Sequence, residues 1–320
     1  MARFNWAFEN PNFDFVGRRW IAFSVDGLLL IIALASLWFQ GLNLGIDFTG
    51  GVLLEIQNKD VTKVIDESEL GTIRSTVEGL GFGDVHVQTL SSAQGIDNSA
   101  QIRVQPSSKM VDQEQAVANK IKAALGDKYT YNRVEAVGPK VSGELFNTGI
   151  FAAAAAIILI ALYVAFRFEW QFGVSALLSN GHDVLMAVGL YSVARLDFNL
   201  TSIAALLTLA GYSINETVIV FDRLRENRRK FRKTPLGELI NMSTNQTLAR
   251  TVKTSTTVAL ALIPLAIWGG HTLFGFAVTI LWGIISGTYS SIFVASSLLL
   301  YMPPLAMTGP AKSEARAPSP

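Results

Sequence analysis

Long apolar runs separated by polar stretches set the plan of this chain. The first run, Trp20 to Gln40, reads WIAFSVDGLLLIIALASLWFQ. That is the length, about 20 residues, a helix needs to cross the hydrocarbon layer. It follows Arg18 and Arg19 and lacks a small-residue cleavage site, so a retained helix is expected and not a removed leader. Further runs occupy residues 149–166, which include five alanines from Ala152 to Ala156, then 172–194, 200–221, 252–268 and 272–301. The last is longer than one crossing needs, as tilt, a kink or an interfacial extension would make it. Six membrane spans are expected.

A different rhythm fills residues 41–148. Gly51 to Gln57 (GVLLEIQ) reads as a strand, and Glu67 to Leu80 has helical spacing. Val85 to Leu90 and Ala100 to Gln105 alternate as half-buried strands do. A second helical pattern runs from about Val111 to Leu125, with Val117, Ile121, Ala124 and Leu125 on one face, and Tyr131 to Val137 closes the set. The order is βαββαβ, the ferredoxin-like arrangement. The expected fold is thus a polytopic α-helical membrane protein, with a ferredoxin-like α+β external domain between spans one and two. From residue 302 to 320 the chain is a Pro/Ala/Ser tail expected to be disordered.

Composition agrees with the spans: 50% of the 320 residues are hydrophobic and 16% charged, against roughly 25% charged in soluble domains. The absence of cysteine excludes disulfides and thiolate chemistry, and three histidines make a histidine-rich metal site a poor fit. A net charge of +1 conceals segregation. The 41–148 segment carries ten basic and fourteen acidic residues, whereas Asp222 to Lys253 carries nine basic and three acidic. With Arg3, Arg18, Arg19, Arg167, Lys312 and Arg316 on the side of that basic loop, the positive-inside rule puts both termini in the cytoplasm and residues 41–148 outside. The stretch Arg223 to Lys233, beside a membrane, fits topology and lipid contact and not nucleic acid.

Ionisable residues at membrane depth are costly, and so are functional candidates. Glu216 lies about five residues from the cytoplasmic end of the fourth span, beside Asn215 and on one face with Thr208 and Tyr212. Arg250 stands at the entry of the fifth span, where it serves as a topological flank or as a partner for Glu216. A carboxylate beside an arginine in a partly dry site can load and release a proton as water access changes. His182 and Asp183 lie in the third span, as an interhelical contact or part of a relay, and Asp26 lies in the first. Gly45 to Gly51 (GIDFTGG) superficially resembles a phosphate loop, but it has no lysine and opens no helix. No enzyme signature is present and no cofactor is implied.

Four motifs then carry a resemblance across nearly the whole chain. They are Leu44 to Gly51 (LGIDFTGG), Val137 to Pro139 (VGP), Phe166 to Trp170 (FRFEW) and Gly211 to Asn227 (GYSINETVIVFDRLREN). The chain resembles the SecF proteins of the SecD/SecF family, in the RND superfamily. The resemblance implies one six-span half of a unit completed by SecD, working with the SecYEG translocon and YajC on an unfolded exported polypeptide in the bacterial inner membrane. It implies a proton or sodium gradient as the energy source. It assigns the ion relay to Glu216 and Arg250, and makes Gly45, Asp47, Gly50 and Gly51 the family signature. The family more commonly has aspartate where this chain has Glu216, whose extra methylene alters reach. Two other functions remain open on the residues alone: a half-transporter for a small molecule or lipid, and a passive assembly scaffold.

Overall fold

The computed structural model describes residues 11–60, 63–90, 98–106 and 113–303, apart from the side chains of 271 and 272. The first ten residues, the tail beyond 303 and the expected helix start at Val111 lie outside that description.

The expected strands and helices of the external segment appear as β2 (Gly51–Asn58), α3 (Glu67–Glu78), β3 (Gly83–Leu90), β4 (Ser99–Pro106), α4 (Glu114–Leu125) and β5 (Tyr129–Val137). The four strands form one sheet, ordered β3-β4-β2-β5, with every neighbouring pair antiparallel. Alternation decides its two faces. Val52, Leu54 and Ile56 meet Ile102 and Val104 in one cluster with Leu70, Ile73 and Val77 of α3 and Val117 and Ile121 of α4. The other face is polar, holding Gln101, Arg103, Arg133 and Glu55. Asp66 caps α3 by accepting the Glu69 amide, which fixes where that helix begins.

Around this sheet domain the chain is helical. The long helices are α1 (Arg19–Gln40), α5 (Pro139–Arg167), α6 (Trp170–Val193), α7 (Leu200–Lys230), α8 (Leu236–Trp268) and α9 (Gly270–Tyr289). A π-turn, Ser290–Ala295, extends α9 and a short helical end runs to Tyr301. Five of these, counting Leu273–Tyr301 as one, are long and apolar enough to cross a membrane. The sixth, α6, is 24 residues long but more polar. Gln171, Ser175, Ser179, Asn180 and Asp183 lie on it and are all buried, because α6 packs among α1, α5, α7 and α9. Its polarity faces inward, which lowers its hydropathy without exposing it.

Two features differ from a simple loop-and-span picture. The basic segment from 222 to 251, expected as a loop, is mostly helix, since α7 runs to Lys230 and α8 starts at Leu236. At 31 residues α7 is about 46 Å long, well beyond the roughly 30 Å hydrocarbon thickness. Glu226 pairs with Arg223 and Lys230 there, one turn either way, and those spacings favour a continuous helix. The α5 helix likewise begins ahead of its apolar run, with Pro139 at its first position, so β5 passes into it through Gly138 alone. The excess length of the last span is resolved as the π-turn and the helical end that follows it.

Candidate functional site

Two strands of only two residues, β1 (Asn43–Leu44) and β6 (Asp197–Phe198), pair in parallel where the sheet domain meets the bundle. Around them the signature residues form a joint. The short helix α2 (Ile46–Thr49) presents Asp47, whose carboxylate accepts the Leu200 amide at 3.0 Å and so caps the start of α7. Asn199 and Ser202 complete a reciprocal capping box at the same helix end. The Gly45 amide donates to the Phe198 carbonyl at 2.8 Å. Gly51 has φ +120°, and a Cβ on it would press into the Val104 carbonyl, so only glycine fits there. Arg103 of β4 reaches down to Asp197 at 2.8 Å and to the Leu44 carbonyl at 3.1 Å. The signature is thus a mechanical joint between the sheet and the helix that carries Glu216.

Glu216 is completely buried on α7. Neither carboxylate oxygen makes a well-formed hydrogen bond, and the Thr251 hydroxyl is the donor set beside it. The neighbours that bear on it are Thr251 and, through charge alone, Arg250. The expected direct ion pair with Arg250 is absent. Adjacent helical positions diverge by about 100°, and α8 turns Thr251 inward and Arg250 to the outside. Asn215 likewise lies on the exposed side of α7. One turn from Glu216, Tyr212 shares a hydrogen bond of 2.9 Å with Ser255, which continues at 2.9 Å to Thr288. A hydroxyl chain therefore links α7, α8 and α9 beside the buried acid. On its other flank Thr217 meets Ser291 of the π-turn at 2.9 Å.

The second polar centre is Asp183, fully buried on α6. Its carboxylate accepts hydroxyls from Ser213 of α7, from Ser290 at 2.6 Å and from Ser286 at 3.2 Å. His182 Nδ1 lies 3.2 Å from the same carboxylate, and its Nε2 lies 3.1 Å from Asp26 of α1. His182 and Asp183 do not share a ligand, but the imidazole bridges two acids on two helices. Sequence reasoning missed the three serines and named Asp26 without a partner. The missed signal was the four-residue spacing of Ser286 and Ser290 in an otherwise apolar helix. Buried carboxylates at membrane depth need donors, and hydroxyls at one-turn spacing supply them.

Two family models match, "Protein export membrane protein SecD/SecF, C-terminal" over residues 117–304 and "SecD/SecF GG Motif" over residues 35–57. The chain belongs to the SecD/SecF protein-export family. Its relatives include the protein translocase subunit SecF of Rhodobacter capsulatus, 41% identical over 92% of this chain and 90% of the relative. The Pseudomonas aeruginosa subunit of the same name is 39% identical over 90% and 91%. Among solved structures, SecDF of Thermus thermophilus, described as a translocon-associated membrane protein, matches with TM-score 0.79 at 37% identity. The match covers 92% of this chain but only 39% of that one. A structure of SecDF in a super-membrane-facing form matches less closely, with TM-score 0.65 at 36% identity. The joint motif falls within the second matched segment, whereas both polar centres, apart from Asp26, fall within the first.

Proposed function

We propose that this chain is the SecF-type half of a SecD–SecF unit that couples a proton or sodium gradient to the late, pulling stage of protein export. The observation that carries the proposal is Glu216, a fully buried carboxylate with no well-formed hydrogen bond in a chain whose relatives are translocase subunits. A buried acid with so little donation, Thr251 alone standing beside it, is destabilised as an anion, so it favours binding a proton or a cation and releasing it when water enters. Arg250 acts from outside the pocket, by charge. The Tyr212–Ser255–Thr288 chain supplies hydroxyls that can pass or accept a proton beside it.

Several finer points belong to the same reading. The strand order β3-β4-β2-β5 with two helices on one face supports a ferredoxin-like external domain. The basic helical ends at 223–233 and the acidic external segment support cytoplasmic termini in a bacterial inner membrane. Because the chain spans 39% of the solved SecDF chain, a SecD-type partner completes the unit. SecYEG, YajC and the emerging polypeptide are the further partners in this reading, and the chain is a coupling subunit and not an enzyme. Export assays in cells relying on this chain test it. Glu216→Gln keeps shape and loses the ionisable group, so assembly is expected to persist while the stimulation of export falls at least about tenfold. Export at the wild-type level in that variant would refute the relay.

A further inference from the structure

Three ionisable groups meet between α1 and α6, apart from Glu216, and the position of one proton decides what their contact is. Asp183 already accepts three serine hydroxyls, so it is the ionised member and the His182 Nδ1–H is a fourth donor to it. A neutral imidazole in that tautomer sets the bare Nε2 nitrogen beside the Asp26 carboxylate, 3.1 Å away and off the hydrogen-bonding axis. An imidazolium is held there by charge attraction, whereas a neutral ring brings two electron-rich atoms together with no proton between them. Both side chains are 13% exposed, so little water is available to screen that contact. One more proton must therefore reside on Nε2 or on the Asp26 carboxyl.

We propose that Asp26 and His182 form a second proton-binding site of the helical bundle, and that its occupancy latches α1 to α6. With the proton bound, Asp26, His182 and Asp183 together carry one net negative charge. Releasing it to water leaves the imidazole neutral and two carboxylates ionised, so the trio carries two. The break falls on the Asp26 side. Asp183 keeps its three hydroxyl donors, whereas among the described residues His182 is the partner of the Asp26 carboxylate. The charged groups that bear on His182 are Asp26 and Asp183. From α9, Tyr289 feels Asp26 and donates its hydroxyl to the Ala22 carbonyl at 2.8 Å. The α7 helix and the π-turn bring the hydroxyls of Ser213 and Ser290, and the Arg167 guanidinium ending α5 pairs elsewhere, with Asp222.

The latch sits midway along a packed helix pair. Beyond it Gly189 lies against Ala33, Ser36 shares a 2.8 Å hydrogen bond with Ser192, and Arg195 donates to the Gln40 carbonyl at 3.0 Å. The α1 helix then leads through Gly41 into β1 and the joint under the sheet. Opening the latch removes the α6 contact of the lower half of α1, which stays bonded to α9 through Ala22 and Tyr289. The upper end of α1 stays tied to α6, and this changes the angle at which α1 meets the external domain. Only this link to the external domain rests on the reading of the chain as an ion-coupled export subunit.

The test uses the full chain in lipid nanodiscs, with ¹⁵N-histidine NMR and, because the chain has no cysteine, spin labels placed at Ile21→Cys and Leu178→Cys, both exposed and on the far side of the latch from the joint. His182 is assigned with His182→Gln. Between about pH 6 and 11 the His182 nitrogens are expected to titrate, and Asp26→Asn to displace that titration by about one pH unit or more. The α1–α6 label distance is expected to lengthen or broaden as the proton leaves, and to lose its pH dependence in both His182→Gln and Asp26→Asn. A His182 titration identical in wild type and Asp26→Asn overturns the shared site. A label distance that ignores pH in the wild type overturns the latch. Glu216→Gln is expected to leave both signals unchanged, so a failure of the Glu216 relay and a failure of this site are read separately.

Discussion

In the sheet domain the core between the sheet and its two helices is apolar, as Val52, Leu54, Ile102 and Ile121 show, and most charged side chains lie on the open face or the rim. In the helical bundle the arrangement turns inside out. Leu159, Ile158, Leu260 and Ile31 face outward, whereas Ser175, Asp183, Ser213, Glu216, Thr217 and Ser290 are buried. The contrast follows from the solvent. Water rewards an apolar interior, about 25 cal/mol per Å² of apolar surface removed from it. Lipid does not distinguish a buried leucine from an exposed one, so helices in lipid associate through close packing and interhelical hydrogen bonds. The polar groups of the bundle are therefore both its glue and its chemistry. Asp183 accepts three hydroxyls, whereas Glu216 makes no well-formed hydrogen bond, and in the proposed function that difference separates a structural acid from a working one.

Substitutions sharpen the contrast, beginning with the largest effect. Asp183→Ala strands three buried hydroxyls, at about 1 kcal/mol or more each, and removes the bridge to α1. A loss near 4 kcal/mol or failure to assemble is expected by thermal unfolding in nanodiscs, with Asp183→Asn milder. If Asp183→Ala proves as stable as wild type, the bundle is not held by its polar centre. In the sheet domain the apolar side carries the cost, so Ile102→Ala is expected to lose about 3 kcal/mol. Its counterpart on the lipid face, Leu159→Ala, is expected to lose under about 0.5 kcal/mol. Equal losses at the two sites would erase the distinction.

At the joint between the two regions, Asp47→Ala removes the cap on α7 and is expected to cost about 1 kcal/mol. Hydrogen exchange at the Leu200 amide reads that loss directly, and unchanged protection would contradict the cap. The smallest effect is one of pH. Burial works against the charge of Glu69, but hydrogen bonds from Lys128 and Tyr129, both 2.7 Å, win and hold its carboxyl below its usual value. A depressed carboxyl stabilises the fold above its ordinary range near 4.5 and loses that contribution as pH falls through and below it. Burial and the hydrogen bond to Glu69 push the Tyr129 hydroxyl up to about 12, with Lys128 opposing the rise. Unfolding of the external domain between about pH 5 and 3 is therefore expected to be less pH-dependent in Glu69→Gln.

The apolar runs and the βαββαβ rhythm were legible because burial imposes a period on each, and Glu216 stood out because a charge amid Ile214 and Val218 has no local excuse. What periodicity could not supply was partnership. The serines that surround Asp183 come from α7 and the end of α9, far apart in the chain, and the one-turn spacing of Ser286 and Ser290 does not say which acid they face. Arg250 shows the reverse case. Its proximity to Glu216 along adjacent spans suggested a pair, but a one-residue step around α8 gives the inward position to Thr251. The signature from Gly45 to Gly51 was visible as a motif and opaque as a mechanism, since its work is to cap a helix that begins 153 residues later in the chain.

The central claim is that the buried, poorly donated carboxylate of Glu216 carries the ion. The most direct measurement is gradient-driven ion flux in liposomes holding this chain with its SecD-type partner and a translocating polypeptide. Flux is expected with the wild type, to persist at a reduced level with Glu216→Asp, and to vanish with Glu216→Gln while the complex remains assembled. Flux undiminished in Glu216→Gln would contradict the account.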